Sequence, residues 1–383
     1  MSTDKKDRIL NAPDLRFPEF EDGWRVSSIN DVCSEFQSGK GISSENIFLD
    51  GLYPVYGGNG LRGFTDRYNH DGVYVLIGRQ GALCGNVRFV SGKTYITEHA
   101  IAAKASKDND TKYLHFMFER MKLGQYSDQS AQPGLAVNKL LRLKVHIPLF
   151  AEQHKIAEFL SLIDERIATQ SRAIEDLKRL RLAIQDRLIE QLVCSDELKP
   201  FSEVYEVAGE GGTPDTSKRE YYEEGTIPFI KIDDLANKYL KEHKDNITEL
   251  GISKSSAWLV PADSLIFSNG ATIGAASINT YPVATKQGVL GIVPKNNISV
   301  EYLYYLMTST YFKKQVHRII THGTMATAYL KDINKIAVPI PNIDKQEYVS
   351  LVLSYLSGKE DIETQMLSHL QNQKQYLLQQ MFI

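Results

Sequence analysis

The stretches VHIPLFAEQ (145–153) and VPIPNIDKQ (338–346) decide the fold of this chain. In each, a proline is followed five residues later by a glutamine, and a long helical pattern continues after the glutamine. The first pattern runs from Pro148 to about Leu192 without glycine or proline, the two residues that most often interrupt a helix. Two matching junctions predict that one unit, a domain followed by a long helix, occurs twice in the chain.

The segments before the two junctions also repeat. Residues 75–85 read VLIGRQGALCG, and residues 264–274 read SLIFSNGATIG. Leu76 matches Leu265, a shift of 265 − 76 = 189 residues, whereas the junctions are related by a shift of 338 − 145 = 193. Because solenoid repeats are only about 20–45 residues long, this period indicates the duplication of a whole domain.

Both long helices carry an apolar stripe with an average step of about 3.5 residues, the spacing of a coiled-coil seam. The seam predicts that the two helices pair as an antiparallel coiled coil; the alternative is that each packs only on its own domain. Gly358 is a weak point in the second helix. The apolar seam positions are Ile156, Leu160, Ile163, Ile167, Ile174, Leu177, Ile184 and Leu188, then Leu353, Leu356, Leu367, Leu370 and Leu377.

The two remaining segments combine glycine-rich loops and short β-prone runs with one helical stretch each, near 110–123 and 299–318. This is typical of the α+β class. We therefore predict two tandem duplicated α+β domains, each followed by a long helix. The predicted bounds are 1–150 for the first domain, 151–194 for its helix, 195–343 for the second domain and 344–383 for the second helix.

Composition limits the possible functions. The formal net charge is −3, which counts against a DNA-binding protein that works alone. Cys33, Cys84 and Cys194 lie far apart, so neither a disulfide framework nor a zinc site is expected. No apolar run approaches the roughly 20 residues needed to cross a bilayer, and the first residues lack a signal-peptide pattern. We therefore expect a cytoplasmic protein without membrane contact.

Seven local motifs follow one another along the chain in a characteristic order. With the duplicated domain and its Pro-x-x-x-x-Gln helix, they resemble the specificity subunits of Type I restriction-modification systems over residues 17–383. Two departures are Lys345, where the family often has Glu, and Asp215, where Ser is more usual. The motifs are QSGKGIS (37–43), YPVYGGNGLRGFTD (53–66), LIGRQGALCG (76–85), QPGLAV (132–137), GGTPDTS (211–217), IPFIKIDDL (227–235) and NGATIG (269–274).

The resemblance implies a DNA-reading protein without catalysis or catalytic residues of its own. Each α+β domain would be a target recognition domain that reads one half of a bipartite, asymmetric double-stranded DNA target. The paired helices would hold the domains apart and dock two methyltransferase subunits, through which restriction subunits join. S-adenosylmethionine, ATP and magnesium would bind to those partners, and this chain would bind no cofactor or metal.

Most catalytic motifs are absent from this sequence or incomplete. The adenine-methylation signatures Asn-Pro-Pro-Tyr and Asp-Pro-Pro-Tyr are missing, and a phosphate loop ending at Gly92-Lys93-Thr94 breaks because position 87 is Val. Asp215, Glu242 and Lys244 fit a loose nuclease pattern, so a stand-alone nuclease is one alternative. A coiled-coil adaptor without DNA binding is another, which the near-neutral charge favours over a solitary DNA binder.

Polar side chains in the glycine-rich loops are the candidate DNA contacts. Arginine can bridge guanine O6 and N7, glutamine and asparagine can pair with adenine, and lysine more often contacts phosphate. Tyr56, Tyr221 and Tyr222 could pack on sugars or bases, whereas Tyr113 and Tyr302 lie in apolar patterns and are expected in the core. The candidates are Lys40, Asn59, Arg62, Arg79, Gln80 and Gln132, then Thr213, Lys218, Tyr221, Lys231, Asn269, Thr272, His322 and Thr324.

Overall fold

The computed structural model describes residues 11–128, 134–322 and 326–383. The chain divides into two compact units: Met1–Ser171 with Gln365–Ile383, and Arg172–Thr364. Two long helices, α4 (Phe150–Ser195) and α9 (Ile343–Gln380), each contribute residues to both units. Within the described ranges, no helix is long and apolar enough to span a membrane.

The first unit is built on a mainly antiparallel sheet with strand order β2-β7-β5-β6-β3-β4, and β1 pairs separately with β8. Only the contact of β3 with β6 is parallel in this sheet. The strands are β1 Arg25–Ser28, β2 Cys33–Ser38, β3 Tyr53–Gly57, β4 Gly60–Thr65, β5 His70–Gly78, β6 Val87–Ile96, β7 Ala100–Ala105 and β8 Lys144–Ile147; the helices before α4 are α1 Ile29–Val32, α2 Thr111–Met121 and α3 Val137–Leu141.

The second unit has two main sheets, ordered β10-β17-β14-β15 and β12-β11-β16-β13, with the pairs β9–β20 and β18–β19 beside them. Its strands are β9 Leu198–Pro200, β10 Tyr205–Glu210, β11 Ile227–Ile230, β12 Asn246–Ile247, β13 Leu259–Val260, β14 Ser264–Ser268, β15 Ala276–Asn279, β16 Val283–Thr285, β17 Val289–Pro294, β18 Thr321–His322, β19 Ala326–Thr327 and β20 Ala337–Pro339. Its helices before α9 are α5 Glu249–Ser253, α6 Val300–Thr308, α7 Thr310–Ile319 and α8 Leu330–Ile333.

One proline explains why the single sheet of the first unit corresponds to two sheets in the second. Strand β6 is continuous, whereas its counterparts β15 and β16 are separated by residues 280–282. At the shift of 189, Pro282 takes the place of Lys93, which pairs with Asp71 in the first unit. Proline has no N–H to donate to a sheet, so the strand breaks there.

The repeat register taken from sequence identity is wrong by one residue in the strands. Ile77 pairs with Ile101, and Phe267, not Ile266, pairs with Leu290, the counterpart of Ile101 at the shift of 189. A one-residue slip exchanges the two faces of a strand. The loop after the strand is one residue shorter in the second repeat, which restores the register. Gly85 N donates to Gly78 O across seven residues, whereas Gly274 N donates to Ser268 O across six.

The seam residues of both helices are buried or half-buried, as predicted. In the first unit, Leu377 joins a core with Ile156 and Leu160, and Lys374 Nζ lies 2.8 Å from Asp164 Oδ1. In the second unit, Leu353 joins a core with Ile189, and Arg181 Nε lies 3.1 Å from Glu360 Oε2. Residues further along α4 contact residues with lower numbers in α9, which confirms the antiparallel pairing.

The Pro-x-x-x-x-Gln motif anchors each long helix to its own domain. Gln153 Nε2 donates to Pro148 O and to Asn109 Oδ1, both at 3.0 Å, while Gln153 Oε1 accepts from Asp110 N at 3.0 Å. The second copy repeats this pattern with Gln346, which bonds Pro341 O, Asn297 O and Ser299 N. Both glutamines are fully buried. Asp110 and Ser299 are the N-caps of α2 and α6, so one amide fixes two helix starts.

The helical stretch predicted near 299–318 is two helices. Ser309 takes an extended backbone between α6 and α7, and its hydroxyl accepts from Phe312 N at 3.2 Å. Serine is a good N-cap, so this residue ends one helix and starts the next. Tyr113 and Tyr302 are buried, as expected.

Candidate nucleic-acid interface

In the first unit, four loops meet at the end of the sheet where β2, β3 and β5 finish; residues 39–41, 57–60, 79–86 and 97–99 form what we call the first loop cluster. Backbone bonds tie the loops together: Arg79 N donates to His99 O at 2.9 Å, and Thr97 N donates to Tyr56 O at 2.9 Å. Close packing of the loops requires a glycine at Gly39, because a Cβ there would lie 2.2 Å from Ile96 O. The loops are therefore held by buried strand ends while their tips face solvent.

The candidate side chains of the first copy converge on this cluster. Lys40, Asn59, Arg62 and Gln80 are exposed, and Arg79 is half-buried. Gln132 lies outside the described residues. The cluster therefore presents several side chains that can bind phosphates or base edges.

Sequence reasoning missed three polar residues in the same place. A Cβ at Gly60 would lie 2.8 Å from the Arg88 guanidinium, so this arginine sits beside the turn that carries Asn59. His99 Nδ1 lies 3.0 Å from Gln80 Oε1, and His99 Nε2 lies 3.2 Å from Glu98 Oε1. The signal available was position: Glu98 and His99 immediately precede a buried strand, where a loop meets the sheet end.

The second unit carries an equivalent set of loops; residues 211–213, 231–233, 269–274, 286–288 and 326–328 form the second loop cluster. Gly211 repeats the role of Gly39, because a Cβ there would lie 1.9 Å from Thr285 O, the counterpart of Ile96 O. Asn269 N donates to Gly288 O at 3.1 Å, which repeats the bond from Arg79 N to His99 O.

A cleft of about 590 Å³ opens within the second loop cluster. Its charged lining residues are Glu210, Lys231, Asp233 and Lys286, so positive and negative charges are balanced. Glu210 Oε1 accepts from Gly288 N at 2.8 Å, which ties one carboxylate to the loop backbone. Lys286, together with Gln287 and Thr327 of the lining, was not among the predicted contacts.

The predicted contacts of the second copy are less concentrated than those of the first. Lys218 and Thr272 are exposed, and Thr213, Tyr221 and Lys231 are half-buried. Lys231 Nζ lies 2.6 Å from Asp245 Oδ2, so this lysine is already paired. Thr324 and the side chain of His322 lie outside what the structure describes.

Asn269 does not reach the surface. Its side chain is fully buried, and its Nδ2 donates to Ala328 O at 3.2 Å while Ala328 N donates to Asn269 O at 2.9 Å. The asparagine therefore holds the loop at 326–328 against the strand end and is not positioned to contact DNA. Asn269 was predicted as a contact because it is a polar residue in a glycine-rich loop, but it takes the structural place of the half-buried Arg79 at the strand end.

Asp215 belongs to a tight turn. Its carboxylate accepts from Ser217 N at 2.9 Å and Ser217 Oγ at 2.8 Å, and these bonds lower the pKa of the carboxyl. Among the described residues, no group of three or more His, Cys, Asp or Glu side chains could hold a metal ion. The local turn accounts for Asp215 without a nuclease role.

A family model described as the Type I restriction modification DNA specificity domain matches residues 21–179 and 197–372, one match for each repeat. The chain is 37% identical over 171 residues to the Type I restriction enzyme EcoprrI specificity subunit of Escherichia coli, covering 44% of this chain and 41% of that protein.

A second relative is the Type I restriction enzyme MjaIX specificity subunit of Methanocaldococcus jannaschii, 32% identical over 162 residues, covering 42% of this chain and 37% of that protein. Each match thus spans less than half of the relative's length. A crystal structure of the S subunit of a Type I restriction-modification system from M. genitalium superposes with a TM-score of 0.62 at 19% identity, over 97% of this chain and 99% of that one. This likeness shows a shared fold.

Proposed function

The chain belongs to the Type I restriction modification DNA specificity family, and from that membership we propose that each of its two units reads one half of a split DNA target. The observation that carries this proposal is the pair of equivalent loop clusters, one on each repeat. Each is fixed by a glycine packed on a neighbouring strand end, Gly39 or Gly211, and each exposes a different set of side chains.

The chemistry of the loops suits DNA. In the first loop cluster, Lys40 and Arg62 are exposed cations that can bind phosphates or guanine, and Gln80 can bind a base edge. In the second, Lys286 and Gln287 are exposed at the cleft. The net charge of −3 is compatible with DNA reading, because partner subunits can supply much of the phosphate contact.

The long helices also expose apolar side chains, which we assign to the docking of two methyltransferase subunits. On α9 in the second unit, Tyr348, Leu351 and Tyr355 are 61%, 71% and 73% exposed. In the first unit, Leu162 and Met366 are 59% and 50% exposed in a groove of about 640 Å³. Exposed apolar patches commonly mark protein interfaces. Restriction subunits would join through the methyltransferase subunits.

The methyltransferase and restriction subunits would catalyse the reactions of the complex. We propose that S-adenosylmethionine, ATP and magnesium bind there, and that this chain, like specificity subunits in general, catalyses no reaction. Alone, it should neither methylate nor cleave DNA.

The test is to purify the chain with and without its cognate methyltransferase subunits and to measure DNA binding at 50 and 200 mM salt. Methylated adenines are then mapped with S-adenosylmethionine present. We expect the complex to methylate a split target, with Arg62→Ala and Lys286→Ala each weakening the choice of bases in a different half.

Three outcomes would contradict the proposal. A continuous target would exclude two separate readers. DNA binding that requires the partner subunits and is unchanged by every loop variant would favour an adaptor. Magnesium-dependent cleavage by the chain alone, abolished by Asp215→Ala, would favour a nuclease.

A further inference from the structure

The side chain of Arg62 lies over the end of strand β3, at a position that has no side chain of its own. A Cβ at Gly57 would lie 2.8 Å from Arg62 Cδ and 3.4 Å from Arg62 Cγ. The same point is 3.4 Å from Thr97 Oγ1, and Thr97 belongs to the first loop cluster. The aliphatic part of Arg62 therefore fills the space that the glycine leaves, beside the loops.

The charged end of Arg62 is available to a ligand. Arg62 is exposed, and among the residues that the structure describes no carboxylate lies within ion-pair distance of its guanidinium. Contact with Gly57 restricts the aliphatic part of the side chain. Less side-chain entropy is then lost when the guanidinium binds, which favours binding in one orientation.

The second repeat fills the equivalent position differently. Strands β3 and β11 make equivalent parallel pairs with β6 and β16, and that register places Lys231 where the first unit has Gly57. Lys231 supplies a cation of its own, but its Nζ lies 2.6 Å from Asp245 Oδ2. One repeat thus has a glycine that admits an unpaired arginine from the next strand, and the other has a lysine that is already paired.

Holding the arginine in one orientation matters for reading a base. A phosphate contact needs only an accessible charge, whereas a base contact needs a guanidinium in a fixed position. Guanine O6 and N7 accept two bonds from one guanidinium, the commonest base-specific contact of arginine. We infer that Gly57 is a positioning residue that holds Arg62 for reading a guanine in the first half of the target. The inference rests on the proposed function.

The experiment replaces Gly57 by alanine in the complete complex with its methyltransferase subunits. The backbone of Gly57 is outside the left-handed region, and the nearest atom that an added Cβ would meet belongs to the flexible Arg62 side chain. Gly57→Ala should therefore displace Arg62 and leave the sheet folded. Methylation rates are measured on a panel of duplexes in which each base of the target is varied, so the second half serves as an internal control.

A double variant shows whether Gly57 acts through Arg62. Arg62→Ala should lower the preference for guanine at one position of the first half by on the order of 10-fold. Gly57→Ala should lower the same preference by about threefold or more, and it should cause no further loss when Arg62→Ala is already present. The second half should keep its base profile in all three proteins.

Arg62→Lys separates a base contact from a phosphate contact. Lysine keeps the charge but lacks the paired donors of a guanidinium. We expect the guanine preference to fall while the salt dependence of DNA binding stays the same. An unchanged base profile in Arg62→Lys would overturn the inference. So would a uniform weakening in Arg62→Ala with a salt slope reduced by about one, because that result assigns Arg62 to a phosphate.

Other results would contradict the positioning role itself. Gly57→Ala without effect, or with an effect that adds in full to that of Arg62→Ala, would overturn the inference. If Gly57→Ala alone does not fold, the double variant should fold, because Arg62 no longer fills the space; its failure to fold would also overturn the inference. The proposed function fails separately, when the parent complex itself methylates no split target.

Discussion

The first and second loop clusters stand on the same frame and carry different chemistry. Gly39 and Gly211 pack on equivalent strand ends, and equivalent backbone bonds fix the loops after β5 and β14. Above that frame, the first cluster carries the cations Lys40 and Arg79 and one carboxylate, Glu98, with Arg62 beside Gly57, whereas the second has a cleft with balanced charges. Buried backbone contacts therefore keep the two repeats alike, while exposed side chains are free to differ.

The junctions between domain and helix show the same division. The buried Gln153 and Gln346 make equivalent bonds, but the charged residue beside each has opposite sign. Glu152 forms two bonds of 2.7 and 2.8 Å with Arg16, whereas Lys345 pairs with Asp196 at 3.0 Å.

The largest expected effect tests the equal role of the two glutamines. Gln153→Ala and Gln346→Ala should each lower the free energy of unfolding of their own unit by about 3 kcal/mol, because each leaves several buried groups without partners. The chain has two tryptophans, Trp24 in the first unit and Trp258 in the second, so Trp→Phe variants make urea unfolding by fluorescence specific to one unit. The exposed Gln371→Ala is the control. Losses under about 1 kcal/mol would contradict the anchoring role.

The next effect is the difference of about 2 kcal/mol that we expect between the two ion pairs. Arg16→Ala leaves the buried Glu152 carboxylate, whose side chain is 2% exposed, without its partner. The free energy of unfolding should fall by about 3 kcal/mol. Asp196→Ala leaves Lys345 half-exposed in water and should cost less than about 1 kcal/mol. Urea unfolding of each unit measures both. Equal losses would mean that burial does not distinguish the pairs.

Acid should weaken the first unit through His115. Burial, with Lys374 and Lys112 nearby, lowers the pKa of His115 to about 4. Between pH 6.5 and 4 the unfolded chain binds this proton more readily, so stability falls as the pH drops, by about 2 to 3 kcal/mol. Tyr304 takes the same place in the second repeat and does not titrate in this range. His115→Phe should remove the difference seen by Trp24 fluorescence; an unchanged acid response would refute the assignment.

The smallest effect concerns Gly358, in the interior of α9. A Cβ at this position would meet no atom within 4 Å, so Gly358→Ala adds no clash. It should raise the free energy of unfolding of the second unit by about 0.5 to 1 kcal/mol, because alanine loses less backbone entropy in a helix. Thermal melting monitored at Trp258 measures it, and destabilisation would indicate that the helix needs a glycine there.

The duplication, the α+β class and the paired helices could be predicted because they depend on patterns that repeat along the chain. Ile156 and Leu353 are buried because helical spacing places apolar residues on one face. The strand register could not be read from identity, since Ile77 and Ile266 match in letters but lie on opposite faces of their strands.

The candidate site was predicted only in part. Glycine-rich motifs located both loop clusters, because close backbone approach requires glycine at Gly39 and Gly211. Side-chain roles depend on contacts distant in sequence. Asn269 is buried because residues 326–328 cover it, and Gln80 meets His99 across two loops, so neither fact follows from local sequence.

The central claim is that each repeat reads its own half of the target. The most direct measurement replaces residues 201–340 with the same segment of a relative of known specificity, and maps methylated adenines after assembly with the methyltransferase subunits. We predict that one half of the recognised sequence changes to that of the relative while the other half stays the same. Loss of both half-specificities in a folded, partner-bound protein, or an unchanged target, would contradict it.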